Sequence, residues 1–117
     1  MPWIALEANR PLLPGQSEDD LLAQMTERVA QALGKPEPIV MARCSLAASM
    51  RFRSTGEACA FFDVRGIGEP TSDQLAALCT SLCELASTHF GVQGERCFVV
   101  YTEVPRKLWG LDSKMLG

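Results

Sequence analysis

One histidine, no CxxC pair, no excess of positive charge and no long apolar run: these shortages each remove a class of function from this chain of 117 residues. Structural zinc sites usually draw four ligands from recognisable Cys and His pairs. Cys79 and Cys83 lie one helical turn apart and His89 follows, but the set is short. Two core cysteines and a histidine near a helix end are the simpler reading, so neither a metal nor any other cofactor is expected. A net charge of -3, from 11 basic and 14 acidic residues, lacks the positive field that nucleic acid or an anionic membrane attracts. No apolar stretch approaches the roughly 18 residues that would span a bilayer. Trp3 to Pro14 supplies neither the basic region nor the long apolar region of a secretory signal. The five cysteines (Cys44, Cys59, Cys79, Cys83 and Cys97) form an odd set and sit mostly in apolar runs, where cysteine packs as a small hydrophobe. They are expected to be reduced core residues in a cytoplasmic protein.

What is present suits a single domain over residues 1–117. Apolar residues make up 47% and charged residues 21%, an ordinary globular balance. A chain this long buries roughly 60 to 70% of its unfolded surface without cross-links. Trp3 to Leu6 reads as a strand, and Pro11, Pro14 and Gly15 break the chain after it. Ser17 caps a helix with an acidic first turn, in which Leu21, Met25, Val29 and Leu33 share one face until Gly34 and Pro36 stop it. Ile39 to Leu46 and Ala58 to Val64 read as strands two and three. Thr71 and Gln74 fit a capping box for a second helix, with Leu75, Leu78, Cys79, Leu82 and Leu85 on one face up to Gly91. Cys97 to Tyr101 reads as a fourth strand, and only scattered apolar residues follow.

The order β-α-β-β-α-β repeats itself. Each half runs strand, loop, capped helix, glycine, polar turn and strand, which points to a duplicated βαβ unit. Right-handed crossovers make the strands parallel within each half and set both helices on one face of a four-stranded α+β sheet. Successive apolar residues such as Phe61-Phe62 and Phe98-Val99-Val100 predict strands buried on both sides. With only two helices to cover the sheet, self-association is expected to supply the second layer.

Several short motifs then fall in one order: Met1-Pro2, Asn9 and Pro11, Leu33-Gly34-Lys35-Pro36, Met50 and Phe52 with Glu57, Gly66-Ile67-Gly68, Glu95-Arg96, and Trp109-Gly110. In that order and spacing the chain resembles the macrophage migration inhibitory factor and phenylpyruvate tautomerase family along nearly its whole length. The resemblance implies a homotrimer with active sites between neighbouring subunits and a small 2-oxo acid as substrate. It implies that Pro2, exposed by removal of Met1, is the catalytic base. A terminal amine has a reference pKa of about 8, which desolvation lowers toward neutrality, and the ring leaves its lone pair few orientations. Lys35 is implied to bind the substrate carboxylate, although a cation after a helix end is also common without any ligand. Ile67 is implied to act through its backbone N–H, with Gly66 and Gly68 allowing close approach.

The departures from the family pattern matter as much. Phe98 and Val100 stand where the animal proteins have a tyrosine and an asparagine from the adjacent subunit. Leu111 and Leu116 replace aromatics of the tail. The expected pocket, shaped by Phe98, Val100, Trp109, Leu111 and Leu116, is therefore greasier, and losing transition-state hydrogen bonds lowers rate. The expectation is a keto-enol tautomerase of phenylpyruvate-like acids with weak or redirected activity. One alternative is a trimeric binding module that has lost catalysis; another, an unrelated ferredoxin-like sensing domain, leaves the motifs as coincidences. Cys59 lacks a partner three positions on, which argues against thiol oxidoreductase activity. Arg51 and Arg53, flanking Phe52 in strand-like alternation, read as a solvated edge or an intersubunit salt bridge, with anionic substrate steering as the alternative.

Overall fold

A computed structural model describes residues 1–117. Four strands, β1 (Trp3–Ala8), β2 (Met41–Ser45), β3 (Ala60–Gly66) and β4 (Cys97–Glu103), and two helices, α1 (Glu18–Leu33) and α2 (Ser72–Phe90), follow the duplicated order. The sheet order is β2-β1-β3-β4. β1 pairs with β2 and β3 with β4 in parallel, while β1 and β3 run antiparallel down the middle. Each half is thus a βαβ unit, and the two halves meet through their first strands.

Both helices begin where side chains satisfy their free amides. Asp20 N–H donates to Ser17 Oγ at 3.2 Å. Gln74 N–H donates to Thr71 Oγ1 at 3.1 Å while Thr71 N–H donates to Gln74 Oε1 at 2.9 Å, a complete capping box. Gly34 and Gly91 end the helices in the left-handed conformation, which costs a residue with a Cβ roughly 1–2 kcal/mol. The inward stripe of α1 is Leu21, Met25, Val29, Ala30 and Leu33. That of α2 is Leu78, Leu82, Leu85, Ala86, His89 and Phe90, and Leu75 and Cys79, expected on the same face, are exposed. The difference is one of phase: the buried stripe continues through Ala86 and Phe90 and leaves the first turn's apolar residue outside.

These stripes close on Ile4, Leu6, Ala8, Phe62 and Val64, all at 0–1% exposure. Each large side chain so buried contributes about 1.5–3 kcal/mol, so the core lies wholly on the helical side of the sheet. Strand alternation splits the apolar pairs that suggested burial on both sides: Phe62 points inward and Phe61 does not. The helix-free face displays Trp3, Ala5, Phe61, Phe98 and Val100, with Phe98 52% and Val100 42% exposed, beside Glu7, Arg43, Asp63 and Arg65. In the single chain it is uncovered.

Three local expectations are corrected. The tail is ordered: β5 (Gly110–Leu111) and β6 (Lys114–Met115) form a hairpin. Its turn residues Asp112 and Ser113 have φ of 52° and 65°, the geometry a two-residue hairpin needs without its usual glycine. Arg51 to Thr55 is a tight turn closed by Phe52 and Thr55, with Arg53 and Ser54 left-handed, so the two arginines do not alternate along a strand. Among the cysteines, all free, only Cys59 is buried, and Cys79 is exposed. Burial pushes the Cys83 and Cys97 thiols upward. No helix is long and apolar enough to cross a membrane.

Candidate active site

The ends of four strands meet around the N-terminus. Pro2 is buried just before β1, and its carbonyl accepts the Met41 N–H at 3.0 Å. The pairing of Trp3 with Arg65, continued by one residue, sets Pro2 across from Gly66, with Ile67 next. On the other side of β3, Val104 N–H donates to Gly66 O at 2.8 Å, so the chain leaving β4 passes beside Gly66 and enters a 3-10 turn over Arg106–Leu108. Lys35 arrives from the end of α1, where its N–H donates to Ala30 O at 3.0 Å and the left-handed Gly34 redirects the chain toward β2.

Electrostatics report the same convergence. The terminal ammonium, carried here by Met1, is held below the ordinary 8.0 of an α-amine by burial first, then by the charge of Lys35, then by that of Arg106. A cation near another cation releases its proton more readily. Lys35 and Ile67 line one cleft of about 200 Å³ together with Glu69, Gln74 and Tyr101. Pro2, Lys35 and Ile67 therefore lie at one end of the sheet.

Two members of this neighbourhood escaped the sequence reading. Tyr101, on the inner face of β4, donates its hydroxyl to Gly68 O at 3.1 Å. Burial, then the nearby Glu103 carboxylate, pushes its phenol upward, so it remains a proton donor. Gly66 makes room for it: a Cβ there would sit 2.8 Å from the Tyr101 hydroxyl oxygen. Gly68 is required instead for its backbone, at φ 97°. Arg106 carried no sequence signal beyond its position before Trp109; only the packing of the tail brings it to the N-terminus.

Other expected pocket residues lie apart from the Lys35 cleft. Trp109 lines a separate, more apolar cleft of about 360 Å³ with Trp3, Arg65, Val104 and Leu108. Leu116 is half-buried, and its N–H donates to Trp109 O at 2.8 Å. Leu111 is exposed in the hairpin. Phe98 and Val100 face outward from β4, where Phe98 packs edge-on against Phe52 with ring centroids 4.8 Å apart. Within one chain, neither reaches Lys35. No three His, Cys, Asp or Glu side chains converge as a metal set.

Comparison with known proteins bears on this arrangement. Macrophage migration inhibitory factor from Rattus norvegicus is 25% identical over 104 residues, 89% of each chain. The crystal structure of a macrophage migration inhibitory factor homologue from Prochlorococcus marinus superposes with a TM-score of 0.89 at 24% identity, covering 98% of this chain and 99% of that one. A second solved structure, of a protein inactivated by 2-oxo-3-pentynoate, shares the fold with a TM-score of 0.80 at 19% identity, over 97% and 95% of the two chains. The family model described as macrophage migration inhibitory factor (MIF) matches residues 1–116. With that match spanning all but the last residue, this chain belongs to the macrophage migration inhibitory factor family.

Proposed function

We propose that this protein is a keto-enol tautomerase whose base is the amine of Pro2 after Met1 is removed, acting on 2-oxo acids, phenylpyruvate among them. The observation that carries the reading is a chain terminus whose basicity is depressed by burial and then by the charges of Lys35 and Arg106, the same Lys35 that lines a cleft with Ile67. With Met1 attached, the Pro2 nitrogen is a tertiary amide without a basic lone pair. Once Met1 is gone the amine moves one residue along, onto a position already buried at the strand start.

The chemistry then needs only a proton shuttle. The Pro2 nitrogen takes a proton from the carbon beside the 2-oxo group, the C–H electrons become the new C=C bond, and the carbonyl π electrons move onto oxygen. That oxygen receives the proton back from the prolinium, which restores the free amine. Lys35 holds the carboxylate and the Ile67 N–H faces the developing oxyanion, where a fixed donor is worth most. The uncovered apolar residues on the helix-free face support assembly into a homotrimer, which would bring Phe98 and Val100 of one subunit toward the site of another. Following loss of the phenylpyruvate enol by ultraviolet absorbance tests the reading, with intact mass to establish removal of Met1. Pro2→Ala should lower the rate by at least about tenfold; equal rates would reject Pro2 as base. The apolar Phe98 and Val100 favour a second reading, a binding module on the same scaffold, in which partner binding survives Pro2→Ala.

A further inference from the structure

We infer that Arg106 is a second carboxylate-binding residue of this site and that its preferred substrates are 2-oxo acids with two carboxylates, one held by Lys35 and the other by Arg106. The inference rests on the tautomerase reading above. Its first support is position. The turn that carries Arg106 leaves β4 beside Gly66, through the Val104 N–H bond to Gly66 O, and Gly66 lies across from Pro2 by the register of β1 and β3. Lys35 reaches the same terminus from the end of α1. Two side-chain cations thus approach the candidate base from different elements.

The second support is what those cations lack. The Lys and Arg side chains that sit within ion-pair distance of a carboxylate are Arg28, beside Glu84, and Arg65, beside Asp63. Neither Lys35 nor Arg106 has a carboxylate within that reach, although Glu69 lines the Lys35 cleft. The Arg106 guanidinium is anchored through Nε, which donates to Leu116 O at 3.0 Å. That is its one hydrogen bond, and both terminal nitrogens of this exposed side chain are left without a protein acceptor. This is the part of the guanidinium that grips a carboxylate with two parallel bonds. With the terminal amine in its free-base form, Lys35 and Arg106 present two positive charges, which a dianion matches and a monoanion leaves partly uncompensated.

The shape of the surroundings agrees. The Lys35 cleft offers Glu69, Gln74 and the Tyr101 hydroxyl among its walls, polar neighbours for a phenyl ring. The Trp109 cleft suits an aryl group better, but its one cation, Arg65, is already paired with Asp63 at 3.1 Å.

The test compares ketonisation of enol-oxaloacetate with that of enol-phenylpyruvate on the full chain with Met1 removed. Wild type, Pro2→Ala, Arg106→Ala and Arg106→Lys are measured. The readout is the ratio of kcat/KM for the two substrates on each protein, which cancels any loss of folded material. Arg106→Ala should lower the oxaloacetate-to-phenylpyruvate ratio about tenfold, chiefly through the KM for oxaloacetate, and Arg106→Lys should restore part of it. A ratio unchanged by Arg106→Ala, with both substrates still turned over in a Pro2-dependent way, overturns this inference and leaves the tautomerase reading standing. Turnover of neither substrate by the wild type above the Pro2→Ala control removes both.

Discussion

Gly66 and Tyr101 make a quantitative test of how the cleft is built. In the structure a Cβ added to Gly66 would lie 2.8 Å from the Tyr101 hydroxyl oxygen, but 3.5 Å from the nearest ring carbons. The second distance is ordinary contact. The clash is therefore with one atom, and that atom donates the hydrogen bond to Gly68 O. Gly66→Ala alone should gain about 0.5–1 kcal/mol from the stiffer chain, lose about 0.5–1.5 kcal/mol with the displaced bond, and lose about 1–3 kcal/mol to overpacking. The expected sum is a net loss of roughly 1–3 kcal/mol. Tyr101→Phe alone should cost about 1 kcal/mol. With the oxygen gone, Ala at position 66 meets only ring carbons, so the double variant should be no less stable than Tyr101→Phe by itself. The coupling between the sites is then about 1–3 kcal/mol, of the sign in which the second change rescues the first. Urea unfolding followed by circular dichroism, at one fixed protein concentration because association would shift the midpoint, measures all four corners of the cycle. Additivity within about 0.5 kcal/mol would show that Gly66 is not kept open for the tyrosine hydroxyl.

Arg96 predicts a larger structural effect. Its guanidinium, in a residue 7% exposed, donates to the carbonyls of Ala58, Phe52 and Glu57 at 3.0, 2.9 and 3.0 Å. Arg96→Ala should cost about 2–4 kcal/mol, and Arg96→Lys should recover less than half, both read from denaturant midpoints. His89 predicts the reverse: it is fully buried, and its Nε2 has no hydrogen-bond partner, lying 3.5 Å from the Asp20 carboxylate. His89→Phe should therefore cost less than about 1 kcal/mol or stabilise, and a loss above about 3 kcal/mol would show a functioning polar contact. The pH-rate profile follows from the terminal amine. Only the free base accepts a proton, and the same surroundings that lower the Met1 amine should set the rising limb of kcat/KM below pH 8. Lys35→Ala and Arg106→Ala each remove a neighbouring positive charge, so each should move that limb to higher pH; an unmoved limb would detach both cations from the base.

The fold was largely legible because its signals are local. Ser17 and Thr71 mark both helix starts, Gly34 and Gly91 mark both ends, and the repeated βαβ order fixes which strands run parallel. What escaped was set by contacts distant in sequence. The tail hairpin turns at Asp112 and Ser113, which carry no glycine signal, and the exposure of Leu75 and Cys79 depends on where α2 meets the sheet. Of the candidate site, Pro2, Lys35 and Ile67 are candidates from motifs alone, and the structure brings Lys35 and Ile67 to one cleft. Tyr101 belongs to no such motif: it alternates with the outward positions 98 and 100 on β4 and lines the cleft from the inner face. Asn9, Glu57 and Arg96, matched as motifs, serve architecture: Asn9 Nδ2 and Arg96 Nη2 both donate to the Glu57 carbonyl at 3.0 Å, tying the connection between β2 and β3 to the two halves of the sheet.

The sheet order also has a handling consequence. Its central strands are the first of each half, so the second strands, β2 and β4, form the two rims. Each rim presents a rail of backbone donors and acceptors that no element of the same chain pairs along its outer side. Rails of that kind nucleate uncontrolled stacking when left bare. Engineering aimed at an isolated protomer should therefore begin by placing a lysine or proline on each rim, since diluting the protein or mutating only the aromatic face would leave both rails available to any extended peptide.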